Sequence, residues 1–445
     1  MKDGYGEVVV LLGSDFHVRS FFAADLYTEL SSKFKLTIGI ARNVKRIYIP
    51  TGIPYIDFSI TKRAESLFVY LLDASLIRNL KKSKSFAFRL RRYLLGDYQR
   101  FIFFSPSGLL RLIRSALMAI PGPYFCLKYM YSREVMKDFE FNNYVEAKNP
   151  KLILTWANSI EPSTMLAITL AKKFRNSCQS IAVFDNWDNL SSKAVLIETP
   201  DQLVCFGQQS KDLAVRIHNI EPSRIHPIGS ARFETHSKFS RNVISERKSV
   251  LIAGSSIALE DFYVLNAIDE ILESPVKKVV LQGFKFFYRP HPLPQGMSID
   301  LQNWRYKNIQ IEENEFSADN HHRIWQSQSD LSKALVKYKV VIAAPTTLLL
   351  EALICGSYVI IPALDAPGIK TSIRKMLSQL EHLKGIELIE GVTIVKSPED
   401  LLIALMSSLK SNNPIESSDS IHFFVHQGNE SFGLRLSSLL TSLLA

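Results

Sequence analysis

Cysteine is scarce in this 445-residue chain. Cys126, Cys178, Cys205 and Cys355 lie far apart and form no Cys-x-x-Cys pair. That spacing excludes a disulfide framework and a cysteine zinc site, and it points to a reducing, cytoplasmic setting. No window offers about 18 uncharged apolar residues in a row, so no transmembrane helix is expected. Met1-Lys2-Asp3-Gly4 leads directly into the apolar run Val8-Val9-Val10-Leu11-Leu12, so no signal peptide is expected either. Short-period repeats and low-complexity tracts are missing. So are zinc-finger spacings, RNA-binding aromatic motifs and basic zippers, which argues against nucleic acid as a partner.

The composition, 47% hydrophobic and 22% charged, is that of a soluble globular protein, and the length suits two domains. The net charge of +10 is unevenly placed. Residues 76–137 hold thirteen Lys and Arg against two acids, Asp97 and Glu134, so the rest of the chain is close to neutral. This segment is also aromatic and helical in spacing, as in Leu109-Leu110-Arg111-Leu112-Ile113-Arg114-Ser115-Ala116-Leu117-Met118. Basic and amphipathic together, it reads as a face for an anionic membrane surface or a lipid-linked acceptor, or as a solvated helical face around a core.

The pattern is α/β. A strand at Glu7–Leu12, a helix from Arg19 to Leu30 and a strand at Lys35–Ile40 form a βαβ opening, which implies a parallel sheet. Strands resume at Leu152–Trp156, Ser180–Phe184 and Gln202–Phe206. Each is short, apolar and followed by polar residues, as in strands buried on both faces. A second series opens at Val250–Ala253 and continues through Phe286–Tyr288, Ile309–Ile311, Val340–Ala343, Tyr358–Ile361 and Val392–Val395. The polar stretch Glu234–Lys248 separates the two series. The expected layout is therefore a Rossmann-like domain over residues 1–240 with the basic insertion, a second over 246–427, and a C-terminal helix over 428–445.

Three strand ends of the second series suit a nucleotide. Gly254-Ser255-Ser256 offers close backbone approach and hydroxyl donors. Arg289-Pro290-His291-Pro292 holds an imidazole between two prolines beside a guanidinium, a good phosphate donor pair. In Ala344-Pro345-Thr346-Thr347 a strand gives way to a helix, which places amides, two hydroxyls and a positive helix end at the strand's carboxyl edge. Glu351, one turn after Thr347, is positioned to accept from ribose hydroxyls. In the first series, Asp15 and His17 follow the first strand and are candidates for a general base. Asp185, Trp187, Asp188, Asn189 and Lys193 concentrate carboxylates, amides, an indole and an amine after another strand, a density suited to polyhydroxyl binding and equally to an ordinary polar loop. No Asp-x-Asp occurs there, so no metal is expected.

The Arg-Pro-His-Pro and Ala-Pro-Thr-Thr-Leu-Leu-Leu-Glu-Ala-Leu runs resemble the C-terminal domain of GT-B glycosyltransferases, most closely those of bacterial surface-polysaccharide assembly. In the CMP-Kdo and sialyl transferases of that group, an His-Pro motif and a Ser/Thr pair hold the donor. These match His291-Pro292 and Thr346-Thr347, with Thr-Thr departing from Ser-Ser. The run Phe184–Lys193 and the stretch Pro227–Phe233 are similar to glycerophosphotransferase-like proteins of the same fold. The resemblance spans about residues 182–363 and implies two Rossmann-like domains facing across a cleft. It also implies a nucleotide-sugar donor (CMP-sugar favoured), a glycan or lipid-linked acceptor, no metal and no cofactor. A GT-B epimerase or hydrolase and a non-catalytic scaffold are the alternatives. Gly13-Ser14-Asp15-Phe16-His17 differs from the Gly-Thr-Arg-Pro-like loop with which such epimerases open.

Overall fold

A computed structural model of the chain describes residues 7–95, 106–158, 161–174, 178–193, 195–239, 244–255, 258–291, 303–312, 328–364, 372–411 and 419–445. Two compact units emerge. Of the described residues, those within 7–95, 106–234 and 422–445 form the first and those within 235–421 the second.

The first unit is built on a seven-stranded parallel sheet: β1 (Glu7–Leu12), β2 (Lys35–Ala41), β3 (Ile56–Phe58), β4 (Leu152–Ala157), β5 (Gln179–Phe184), β6 (Gln202–Val204) and β7 (Ile225–His226). The spatial order is β3-β2-β1-β4-β5-β6-β7. Val8 to Leu12 and all of β4 are buried. Apolar runs without alternation are what a sheet covered on both faces requires. The edge strands β3 and β7 are too short to stand out in the sequence. The single helix expected over Arg19–Leu30 is two, Asp15–Phe21 and Leu26–Lys33. Ala24 and Asp25 between them take positive φ, 49° and 60°, which a continuing helix cannot accommodate.

The second unit repeats the plan with six parallel strands: β8 (Ser249–Ala253), β9 (Lys285–Arg289), β10 (Ile309–Ile311), β11 (Tyr338–Ala343), β12 (Tyr358–Pro362) and β13 (Val392–Val395). Their order is β10-β9-β8-β11-β12-β13. In each sheet the winding direction reverses next to the first strand, between β1 and β4 and between β8 and β11. The carboxyl ends of those pairs form the crevices where open α/β sheets take ligands.

The passage between units falls at Glu234/Thr235, inside the helix Ala231–Phe239 and at the start of the polar stretch Glu234–Lys248. The chain rejoins the first unit at His422. The helix Phe432–Leu444 buries Phe432, Leu436 and Leu440 in the same core as β1 and β4. Gly433 faces the Glu29 carboxylate so closely that a Cβ would sit 1.7 Å from its oxygen.

Because Leu436 and Leu440 are fully buried, the last helix is part of the first unit's core. Leu436→Ala is expected to cost about 2–5 kcal/mol, as large-to-small core changes do. Denaturant unfolding checks this, and an unchanged midpoint would detach the helix from the core.

Candidate functional site

At the carboxyl end of β1 the chain turns through Gly13 and Ser14 into the helix Asp15–Phe21. The Ser14 hydroxyl accepts the His17 N–H as the helix cap. At the end of β4 it turns through Asn158 and Glu161 into the helix Pro162–Lys173. The two turns touch: a Cβ on Gly13 would lie 2.0 Å from Ser163 Oγ, so only glycine fits. Across this junction His17 Nε2 stands 3.3 Å from Glu161 Oε2.

The histidine is 1% exposed and the glutamate side chain 24%. Burial pushes the Glu161 carboxyl up to about 7, against hydrogen bonds from Ser14 and Asn158 that favour its charged form. Burial also drives the His17 imidazole down to about 3. A neutral imidazole thus backs a carboxyl group that gains and loses its proton near neutrality. Glu161 was not read from the sequence, since nothing in the run Ser159-Ile160-Glu161-Pro162 marks it. The available signal was topological, a carboxylate at the end of the strand beside β1. Asp15 is committed elsewhere, because its Oδ1 accepts the Lys45 N–H at 2.7 Å and ties down the turn after β2.

The Asp185–Lys193 stretch is corrected by the structure. It is a packed turn, with Asn189–Lys193 as a single wide helical turn. Asp185 is buried and accepts from the Ser230 hydroxyl. Trp187 is 2% exposed, donates Nε1–H to Gln209 at 2.9 Å and meets the Phe424 ring edge-on. Asn189 is buried. Asp188 and Lys193 pair with each other at 2.8 Å. Much of the polar density is therefore packed within a tight turn, with Asp188 and Lys193 its partly exposed members.

In the second unit the expected donor residues separate into two groups. Gly254 is needed because β8 and β9 end side by side. Its N–H donates to Arg289 O at 2.7 Å, and a Cβ would lie 2.9 Å from that oxygen and from His291 N. The close approach is to neighbouring backbone rather than to a ligand. Ser255 gives its N–H to both oxygens of Asp261, at 2.9 and 3.0 Å. Tyr288 O–H donates to the same carboxylate at 3.0 Å, and burial pushes Asp261 up to about 7. The chain's own carboxylate thus fills the anion position that the sequence suggested for phosphate.

Arg289 is corrected on similar grounds. It is buried, and its guanidinium forks onto Glu312, with Nη2 to Oε1 at 2.7 Å. Tyr338 O–H completes that carboxylate's partners at 2.6 Å. Glu351 is fully buried with Oε1 3.4 Å from His236 Nε2, and His236 also meets Ser332 and Cys355. Its carboxylate is turned into the core and not to a ribose. The group left at the carboxyl edge consists of His291, half-buried after β9, together with Thr346, exposed, and Thr347, which opens the helix Thr347–Ile354. Asp261 and a small cavity beside it lie at the same edge, the cavity lined by Ser255, Asp261, Ala343 and Ala344 at the β8/β11 reversal. Ser256 and Pro292 lie outside the described residues.

No family model matches the chain, and no curated protein matches it in sequence. Solved structures match it in fold. The UDP-GlcNAc 2-epimerase of Methanocaldococcus jannaschii is similar with a TM-score of 0.56 at 11% identity, over 98% of this chain and 99% of that one. The UDP-GlcNAc 2-epimerase of Neisseria meningitidis, solved bound to UDP-GlcNAc, gives 0.51 at 12% identity over 98% and 99%. MurG of Acinetobacter baumannii gives 0.50 at 10% identity over 98% and 99%. At these identities the likeness is one of fold, the two-domain α/β fold of the GT-B class.

Proposed function

We propose that the chain is a nucleotide-sugar enzyme that transfers a sugar from a nucleotide-activated donor to a glycan or lipid-linked acceptor in surface-polysaccharide assembly. The observation that carries this reading is the His17–Glu161 pair at the β1/β4 reversal. Transfer requires a group that takes the proton from the acceptor hydroxyl. A partly exposed carboxyl group that titrates near neutrality suits that task better than either residue the sequence offered.

In this reading Glu161 is the base and His17 is the neutral group that positions it. As the acceptor oxygen bonds to the sugar's anomeric carbon, its proton passes to Glu161. The bond from that carbon to the nucleotide phosphate oxygen breaks in the same step, and its electron pair leaves with the phosphate. In the second unit, taken by itself, His291, the Thr346 and Thr347 hydroxyls and the amides opening the Thr347–Ile354 helix are the groups assigned to a nucleotide phosphate. The resemblance favours a CMP-sugar, whereas the fold neighbours solved with ligand hold UDP-GlcNAc.

A second reading is favoured by those same neighbours: epimerisation of a nucleotide sugar. It too needs a carboxyl group able to carry a proton, but no acceptor. The two part in one assay, incubation with a nucleotide sugar alone. Inverted sugar without acceptor marks an epimerase, and sugar transferred only when acceptor is added marks a transferase.

Glu161→Gln is expected to lower turnover by about 10²-fold or more, the usual scale for losing a general base. In the wild type, Glu161 is protonated and idle below its raised pKa, so kcat/KM should climb as pH rises through about 7. Turnover that survives Glu161→Gln but is lost in Asp15→Asn would return the base to Asp15.

The second unit gives a contrasting pair. His291→Ala should weaken nucleotide binding about tenfold while the fold is kept, as loss of one charge-assisted phosphate contact does. Arg289→Met should instead cost about 3–5 kcal/mol of stability, because Glu312 is left buried without its partner. Calorimetric titration and thermal unfolding of both variants check this, and the opposite pattern would reverse the two assignments.

A further inference from the structure

The helices Pro106–Met118 and Pro121–Glu134 form a hairpin in the first unit whose outward side inverts the usual surface pattern. From Leu109 to Met130, the exposed positions carry no charge. Leu110 is 66% exposed, Phe125 61% and Tyr129 62%, and Ile113, Leu117 and Ile120 are about half exposed. They follow helical spacing along one face and continue across the Ala119-Ile120 connection into the second helix.

The charges of the same stretch point the other way. Arg111 grips Asp73 through two bonds, at 2.7 and 2.9 Å. The Arg114 guanidinium lies 4.0 Å from the centre of the Tyr70 ring. Lys128 pairs with Glu198 at 2.6 Å. An ordinary surface helix turns its apolar stripe to the core and its charges to water. Here the two arginines are engaged by Asp73 and Tyr70, although the Arg111 side chain stays partly exposed, and the fully outward positions are apolar.

Exposed Lys and Arg stand at both ends of the hairpin. Arg78 and Lys81 precede the hairpin, and Arg133 and Lys137 close it. Of the acids beside Arg133 and Lys137 in sequence, Glu134 is buried among Thr61, Arg63 and Lys137, Asp138 accepts from the Ser59 and Phe141 N–H groups, and Glu140 is exposed. Within residues 76–137 thirteen basic residues face two acids.

We propose that this hairpin docks the protein on an anionic lipid bilayer, its apolar face lying among the acyl chains at headgroup depth and the surrounding Lys and Arg meeting lipid phosphates. Charge complementarity selects that occupant. A second copy would bring the same positive rim against itself. An ordinary protein partner would look for polar groups to pair with, and the outward side offers few. Helices of 13 and 14 residues are too short to span a bilayer, which needs about 20, so they lie in its plane. The basic character legible in the sequence therefore supplies the rim, while the inserted surface is apolar. The proposal does not depend on the catalytic reading above.

The test is flotation of the full chain with vesicles of phosphatidylcholine alone and of phosphatidylcholine mixed with phosphatidylglycerol. Cys126, the exposed cysteine of the face, carries an environment-sensitive fluorophore, since the other three cysteines are buried. The wild type should float with the mixed vesicles, its label should shift to the blue, and added salt should weaken but not abolish binding. Ile113→Glu and Leu117→Glu should each reduce binding about tenfold or more, the scale of one large apolar side chain. Val276→Glu, at an exposed apolar position of the second unit, should not. Unshifted melting curves confirm that the variants are folded. Wild-type protein that does not float, or glutamate variants that float as well as wild type, would overturn the proposal. So would a concentration-dependent dimer that the same variants abolish without any vesicle binding, which would assign the face to a second copy.

Discussion

Parallel strand pairing is the constraint from which the rest follows. β1 pairs in parallel with both β2 and β4, and β8 with both β9 and β11, so each connection must cross the sheet. The crossing helices bury both faces, which is why Val8 to Leu12 and Val340 to Ala343 are apolar without alternation. With both faces covered, polar chemistry is confined to the carboxyl edge, and there it concentrates where the winding reverses. Glu161 and His17 are brought together by that geometry, 144 residues apart in the chain, because their strands are neighbours.

The same edge shows how a buried charge is made tolerable. Arg289 lies at the end of a central strand, where an unpaired guanidinium would be costly, and Glu312 with Tyr338 satisfies it. Asp261 answers the Ser255 amide and the Tyr288 hydroxyl. Glu351 faces His236 within a cluster that includes Ser332 and Cys355. Arg289 and Glu351 look ligand-ready in the sequence, yet in the structure each faces a partner from the protein's own interior. What remains at the edge of the second sheet is a shorter set, His291 with Thr346 and Thr347, next to the small Asp261-lined cavity.

The architecture was legible because strand-forming runs and turn residues are local signals. The strands read from the sequence all exist in the structure, and among the described residues the edge strands β3 and β7, of three and two residues, went unread. The break between the first two helices was hidden, since Ala24 and Asp25 adopt left-handed backbone without a glycine to announce it. Partner identity was the illegible part. Glu312 and Gln209 do not declare in sequence that they will take Arg289 and Trp187, nor Asp73 and Tyr70 that they will take Arg111 and Arg114.

The central claim is that this fold handles a nucleotide-activated substrate at the carboxyl edge of its second sheet. Amide hydrogen exchange across a panel of CMP, CDP, UDP and GDP tests it most directly, because bound ligand protects the amides it covers and stabilises only the folded state. The account predicts that one nucleotide slows exchange at Thr346–Leu348 and His291 and raises the melting temperature. Protection confined to other segments, or none with any nucleotide of the panel, would contradict it.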